Sequence, residues 1–504
     1  MADRRGRIAV LLALLLLCGC VSSGPDFEPP DPLLPDASFH GKPEPGAQAA
    51  RAPGDFLAVN PDWWAVFRDP ILTSLMERAA AANLDLRTAT LRLAESRFQL
   101  GAIASAEFPS INGNASYQRE LFSQNGVLSL VKPLAPPSAP FNIPPISIWQ
   151  TGFDASWEID IWGRVRRQVE AASAQAEASE YERRAMLASV LAELARDYID
   201  LRGIQTQIGI TKANLTSSRD ILQWTKTRAD KGLTTQLDVE NAAAQVEAVR
   251  ASLPPLEDQE SARLNALSLL LDEPPGSLRG ELARAKPIPP APPWVPFGIP
   301  SELARRRPDI RQAEAQLHAA TATIGVAVAD FYPRVTFNGN VELNALDLKN
   351  LWKGSSLQYV LGPSISLPIF EGGRLKSTLE LRETQQQEAA IAYHKTVLQA
   401  WHEVVNALVA YRTEQERRAR LKAQTEHSRQ ALALSRVRYV NGVADFLNVL
   451  DAERTVLQAE LQYAQSTTAV SANVVQLYKA LGGGWEGVFP EQPATSVAAL
   501  PPAP

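Results

Sequence analysis

The stretch "FDASWEIDIWGRVRRQVEAASAQ", Phe153 to Gln175, changes character without a turn cluster in between. Its first part continues an alternation that begins at Trp149. Trp149, Phe153, Ala155 and Trp157 fall on one side of an extended chain, and Gln150, Asp154 and Ser156 on the other. From Arg164 onward the residues are charged and Ala-rich, the composition of a helix. A strand with one aromatic and one polar face therefore feeds straight into a long helix.

The same grammar occurs twice. "NLDLRTATLRLAESRFQLGAIASAEFPS" (83–110) parallels "RPDIRQAEAQLHAATATIGVAVADFYPR" (307–334), with Pro109 matching Pro333. "DIWGRVRRQ" parallels "FEGGRLKST", with Gly163 and Arg164 matching Gly373 and Arg374. "TRADKGLTTQLDVENA" parallels "VRYVNGVADFLNVLDA", with Gly232 matching Gly442. The first half is the longer between Tyr117 and Trp149, a Pro-rich stretch of the kind surface loops tolerate. Each half reads as a helix, two strand runs, a very long helix, a Gly-centred turn and a return helix. A first helical tract is expected from about Ile71 to Ala106. The tracts Arg164 to Lys231 and Arg374 to Asn441 would each extend on the order of 100 Å if continuous. Leu187, Leu191, Leu194, Tyr198 and Leu201 keep helical spacing in the first of these, and Gly203 and Gly209 mark its expected weak points. For one tract alone, a soluble coiled coil is an equally good reading.

Composition narrows the class. The chain has 504 residues, 45% hydrophobic and 21% charged, with a net charge of −5. It is globular and has no basic footprint for nucleic acid. Its two cysteines are Cys18 and Cys20, so the body has no disulfide framework, Cys-based zinc site or Cys nucleophile. Arg4, Arg5 and Arg7 precede an apolar run from Ile8 to Leu17, an export signal too short to span a bilayer. "LCGC" resembles a bacterial lipobox, with cleavage after Gly19 and lipid on Cys20; an ordinary cleaved signal peptide is the plainer alternative. Val21, where an Asp would signal inner-membrane retention, favours the outer membrane by that resemblance. The expected organisation is a signal peptide (1–19), a lipidated Pro-rich tail (20–61), a first repeat (62–285) with a β-hairpin at about 109–157, a Pro-rich linker (286–300), a second repeat (301–484) with a β-hairpin at about 334–367, and a Pro/Ala-rich tail (485–504).

Four runs alternate: 111–118, 149–157, 335–343 and 357–367. Each is about ten residues long, enough for a tilted strand to cross a bilayer. Ile111, Tyr117, Phe337, Val341, Tyr359 and Ile365 fall on apolar sides; Asn112, Asn114, Asn338, Asn340, Gln358 and Ser364 fall on polar ones. Alone, any one run reads as a half-exposed hairpin. Four in matching repeat positions, behind an export signal, read as the wall of a membrane barrel with a wet lumen. Four strands cannot close such a barrel, and open edges in lipid leave backbone groups unsatisfied. Two, three or four copies of the chain would supply roughly eight, twelve or sixteen strands.

With these features the chain resembles the outer membrane factor (TolC-like) family, in its lipoprotein branch serving resistance-nodulation-division efflux systems. The matching residues are "GPDFEPP" (24–30), "DWWAVFRDP" (62–70), "EIDIWGRVRR" (158–167), "RRPDIRQAE" (306–314), "RYVNGVADFLNVLDAER" (438–454) and "LYKALGGGW" (477–485). The resemblance implies a mainly α fold with a membrane β element: a homotrimer whose twelve-stranded barrel continues into a periplasmic α-helical barrel. It implies a periplasmic adaptor and an inner-membrane pump as partners, and no cofactor beyond the diacylglycerol and N-acyl chain on Cys20. Gly232 and Gly442 would lie at the periplasmic tip, where acidic rings and cross-links between helical hairpins keep the duct shut. The tip pattern falls on Tyr439, Gly442, Leu447 and Asp451, with Arg454 one turn on. Asp238 stands where some relatives pair with the tip tyrosine. Asn448 replaces a second acidic residue, and Ala444 an arginine, found in other members. Read without the family, Asp451 and Arg454 are an ordinary i, i+3 surface pair.

No enzyme is legible. "HEVVN" (402–406) has Asn406 where a zinc-protease helix needs its second His. "GGGWEG" (482–487) lacks the strand–turn–helix context of a dinucleotide loop and reads as a helix stop. The leading expectation is the passive exit duct of a tripartite efflux pump. The alternatives are the exit duct of a type I protein-secretion system and a pore-less periplasmic coiled-coil scaffold.

Overall fold

The computed structural model describes residues 22–32, 62–123, 144–292 and 306–489. The expected lipidation site, Cys20, lies outside them, as does the signal segment. The chain forms two compact units, and each draws on both halves of the sequence. The first comprises residues 22–29, 95–177 and 315–391; the second holds the remaining described residues.

The first unit carries one antiparallel sheet, ordered β1 (Ser110–Glu120), β2 (Ile146–Ile159), β3 (Arg334–Ala345), β4 (Leu357–Ser366). Its register sets like faces beside like. Gly113, Phe153, Val341 and Tyr359 form one row, and Ile111, Ala155, Gly339 and Leu361 another. On the opposite face Asn112, Asp154 and Asn340 line up, as do Ser116, Gln150 and Asn344. The polar face is cross-linked by its own side chains. Asn112 Nδ2 donates to Asp154 at 3.2 Å, Asn114 donates to the same carboxylate, Ser156 Oγ donates to Asn338 Oδ1 at 3.0 Å, and Gln358 donates to Glu342. Among the described residues nothing covers the apolar face: Ile111, Phe153 and Tyr359 are 70%, 65% and 68% exposed. The outer edges of β1 and β4 are unpaired among the described residues.

Four residues, 160–163, turn β2 into α3 (Arg164–Asp230). Asp160 caps the helix, its carboxylate accepting from the backbone N–H groups of Val165 (3.0 Å) and Arg166 (2.8 Å). Glu158 receives both the Nε (2.8 Å) and the Nη2 (2.6 Å) of Arg164. Trp162 donates to the Pro333 carbonyl at 2.9 Å and stacks on Tyr332 at 4.7 Å. The second seam is looser, with seven residues (367–373) before α7 (Arg374–Val440).

Residues 22–27 are strapped to the first seam. The N–H and Oγ of Ser23 both donate to the Trp162 carbonyl, at 3.1 and 2.7 Å. Gly24, at φ +81°, lies so close to α6 (Pro308–Ala329) that a Cβ would sit 2.5 Å from Gly325 Cα. Arg167, 3% exposed, donates to the Ser23 carbonyl (3.1 Å), Asp26 (2.5 Å) and Glu170 (2.7 Å). Phe27 stacks on His318 at 4.4 Å, and His318 Nε2 meets Glu170 Oε1 at 2.9 Å.

The core of the second unit confirms the helical stripe: Leu187, Leu191, Leu194, Tyr198 and Leu201 are all buried in it. The sequence signatures converge there. Trp63 of "DWW" stacks on Tyr478 at 5.5 Å. Arg307 of "RPDI" donates to the Ala480 carbonyl at 2.8 Å and to Glu403 at 2.8 Å. Gly484 of "LGGGW" lies against the Trp63 indole, where a Cβ would come within 2.7 Å of Nε1. These motifs are joinery that binds helices of both halves.

Three expectations need correction. The first helical tract is two helices, α1 (Pro70–Ala82) and α2 (Leu84–Ala104). Asn83 parts them because its Oδ1 accepts from Leu86 N (3.0 Å) while its Nδ2 donates to the Leu270 carbonyl (3.0 Å). Gly203 and Gly209 do not weaken α3, which runs 67 residues unbroken. Gly203 instead lets α8 (Phe446–Ala480) approach: a Cβ would stand 2.2 Å from Thr468 Oγ1. The first return helix is split into α4 (Gln236–Ala251) and α5 (Leu253–Leu270), because Pro254 and Pro255 lack the N–H groups that would continue α4. Among the described residues no helix is long and apolar enough to cross a membrane.

Gly203→Val should destabilise the second unit by about 2–3 kcal/mol through overpacking, read in a chemical denaturation curve, with partial rescue by Thr468→Ala. Arg167→Met should free residues 22–27, read as faster protease trimming of the N-terminus with helical circular dichroism unchanged.

Candidate functional site

The two Gly-centred turns have one construction. In the first, Gly232 N donates to the Ala229 carbonyl (2.8 Å) and Leu233 N to the Arg228 carbonyl (2.9 Å). In the second, Gly442 N donates to Tyr439 (3.0 Å) and Val443 N to Arg438 (2.9 Å). This pairing ends a helix on a left-handed residue, and the two glycines take φ +69° and +74°.

The return helices then start differently. Thr235 caps α4 and Asp238 completes a capping box, its Oδ2 accepting from Thr234 Oγ1 (2.5 Å), Thr235 Oγ1 (3.0 Å) and Thr235 N (3.2 Å). Burial pulls the Asp238 pKa up, but these donors outweigh it and hold the carboxyl below the usual aspartate value. Asn448 takes the matching position on α8, and Asp445, its N-cap, makes no side-chain cap bond.

A small core joins the two hairpins just behind the turns: Ile221, Ala242, Tyr439, Phe446, Val449 and Leu450. Tyr439 is buried between Phe446, 5.6 Å away, and the Arg228 guanidinium, 4.8 Å above its ring. Its hydroxyl has no hydrogen-bond partner among the described residues, so Asp238 and Tyr439 are not joined there. Arg454 reaches across to α4, donating from Nε to Gln245 Oε1 at 2.7 Å. Among the described residues no ion pair joins Asp451 and Arg454, so the i, i+3 pair is not formed. Asp451 is exposed and lines an open groove of about 1030 Å³ together with His427, Arg438, Asp445 and Asn448. Leu447 is 58% exposed, beside exposed Val443. Of the expected residues, the structure thus gathers Tyr439, Gly442, Leu447 and Asp451 around the second turn, while Asp238 is spent on its own helix start.

One buried group escaped the sequence reading. Glu453 is 1% exposed and accepts from Ser218 Oγ of α3 at 3.0 Å. Its signal was its place in the apolar stripe Phe446, Val449, Leu450, Val456, where a core side chain is expected. Among the described residues no His/Cys/Asp/Glu group is arranged to hold a metal ion.

Gly442→Ala should cost about 1–2 kcal/mol, since a Cβ is disfavoured at positive φ. Asp238→Ala should cost about 1 kcal/mol through the lost cap; the lowered pKa keeps that contribution intact at neutral pH and removes it only in acid. Thermal denaturation of each variant measures both.

The family model described as outer membrane efflux protein matches residues 75–273 and 299–483. The outer membrane protein OprJ of Pseudomonas aeruginosa is 32% identical over 489 residues, 95% of this chain and 96% of that protein. The solvent efflux pump outer membrane protein SrpC of Pseudomonas putida is 32% identical over 485 residues, 94% of this chain and 97% of that one. The solved structure of the outer-membrane channel OprN superposes with a TM-score of 0.83 at 34% identity, covering 92% of this chain and 100% of that one. The chain belongs to the outer membrane efflux protein family.

Proposed function

We propose that this protein is the outer membrane exit duct of a tripartite efflux pump, passing drugs or other small molecules from an inner-membrane resistance-nodulation-division pump and its periplasmic adaptor to the exterior. The observation that carries this reading is the sheet. One face is apolar and uncovered, the other is amides and carboxylates, and two edges are open. In lipid each unsatisfied backbone group costs several kcal/mol, and four strands are too few to close. Three copies would close a twelve-stranded barrel with the Asn- and Asp-bearing face as a wet lumen. The repeats 62–285 and 301–484 would then each supply one hairpin to the barrel and one long helical hairpin to the periplasmic duct. Removal of residues 1–19 and lipid on Cys20 would add a second membrane anchor.

The turns at Gly232 and Gly442 would form the periplasmic tip, with Leu447 and Val443 offering apolar contact to the adaptor. Asp451 is the gate residue in this reading, supported by Tyr439, Arg454 and, through the helix start that it caps, Asp238. Three Asp451 carboxylates around a symmetry axis repel one another and concentrate cations, narrowing the entrance electrostatically. Substrate transit is passive and involves no bond-making step.

Single-channel recording in a planar bilayer, with heat-dependent oligomer mobility on gels, tests the reading. The expected result is a heat-sensitive trimer with cation-preferring conductance. Asp451→Ala should raise conductance and lower cation preference several-fold. Unchanged conductance would remove Asp451 from the gate, and a water-soluble monomer without conductance would sink the duct.

A further inference from the structure

Glu453 lies where three helices meet. Ser218 Oγ of α3 donates to its Oε1 at 3.0 Å, while its Oε2 is buried without a hydrogen-bond partner among the described residues. Ser217, the neighbouring hydroxyl on α3, also faces the carboxyl and accepts from Arg436 Nη2 of α7 at 2.6 Å. The Nε of Arg436 is likewise buried and unpaired. α4 contributes the neutral Gln245, which holds the next residue of α8, Arg454. The charged group facing Glu453 is therefore Arg436, and its other contacts on α3 are hydroxyls.

We propose that Glu453 is a proton-controlled positioning residue of the helical tip: its neutral form lets α3, α7 and α8 close on one another, and loss of its proton loosens them. The assignment rests on the exit-duct reading for its consequence, but its physics is local. An ionised Glu453 would hold a buried charge faced by no more than two serine hydroxyls and the Arg436 guanidinium beyond them, which costs far more than a neutral acid in the same place. Water must enter, or Arg436 must leave Ser217, and either parts the seam. Burial raises the carboxyl above the usual glutamate range, against the weaker opposing pull of Ser218, Ser217 and Arg436.

The sign follows from that direction. The closed form has the raised pKa and the solvated, loosened form an ordinary one. The closed form is thus fully favoured in acid and loses ground as pH rises through its own pKa. Each unit of difference between the two forms is worth about a tenfold change in the closed-to-open ratio.

The test uses the full chain and Glu453→Gln, which is neutral at every pH and keeps a hydrogen-bonding oxygen. In planar bilayers between about pH 4.5 and pH 8, open probability of the wild type should rise with pH, on the order of tenfold per unit of pKa difference. Glu453→Gln should stay low and flat. Identical profiles for the two proteins overturn the proposal, and so does wild-type opening that falls with pH, which would mean that Arg436 captures the carboxylate and tightens the seam. Hydrogen exchange of residues 446–460 in detergent gives an answer that does not depend on conductance. Glu453→Gln should be better protected than wild type near neutral pH and equal to it in acid. Equal protection at both pH values overturns the proposal. No conductance from either protein, with the exchange difference present, would sink the duct reading and leave the proton-controlled seam standing.

Discussion

The antiparallel pairing of β2 with β3 is the contact on which the rest of the fold depends. Eleven residue pairs, from Trp149 opposite Ala345 to Ile159 opposite Val335, join two halves that are far apart in sequence. Because strand side chains alternate with a period of two, a one-residue slip would turn every aromatic of β2 onto the amide face of β3. The register is therefore held by both faces at once: Phe153 beside Val341 on one, Ser156 donating to Asn338 on the other. The two hairpins then behave as one sheet, and the long helices leave that sheet from β2 and β4.

The long helices themselves depend on packing. Runs of 67 residues rich in Ala, Glu, Arg and Gln have good propensity but little apolar surface. Beyond the leucine stripe of α3, their neighbours hold them through small residues and short hydroxyls. Gly203 against Thr468 and Ser218 against Glu453 are two such contacts along the same helix. Interfaces of this kind bring backbones close with modest hydrophobic gain, so a single buried carboxyl can weigh heavily in them. The largest aromatic cluster, Trp63, Trp64, Phe67, Tyr478 and Trp485, sits at the junction where "DWW", "RPDI" and "LGGGW" meet.

Much of this is legible in the amino-acid sequence. The four strands fall on their alternating runs, the long helices begin at Arg164 and Arg374 as the seams suggested, and both Gly turns take positive φ. The misses share a cause. Asn83 ends a helix because it can reach the Leu270 carbonyl, 187 residues later in the chain. Gly203 looked like a flaw because a helix read alone has no neighbour; Thr468 makes it a requirement. The strap at residues 22–27 looked like part of a Pro-rich tail, since nothing local announces that Gly24 meets Gly325 or that Arg167 waits for Asp26.

Periodicity, repeat and turn chemistry act over a few residues, and the sequence by itself therefore determined the strands, the long helices, the glycine turns and the family. Which side chains share a seam depends on groups brought together from distant segments. Only the tertiary structure could decide that Arg454 turns from Asp451 to Gln245, that Tyr439 is buried with a free hydroxyl, and that Glu453 loses its water. Burial sets the energy of an ionisable group, and burial is a property of the packed fold.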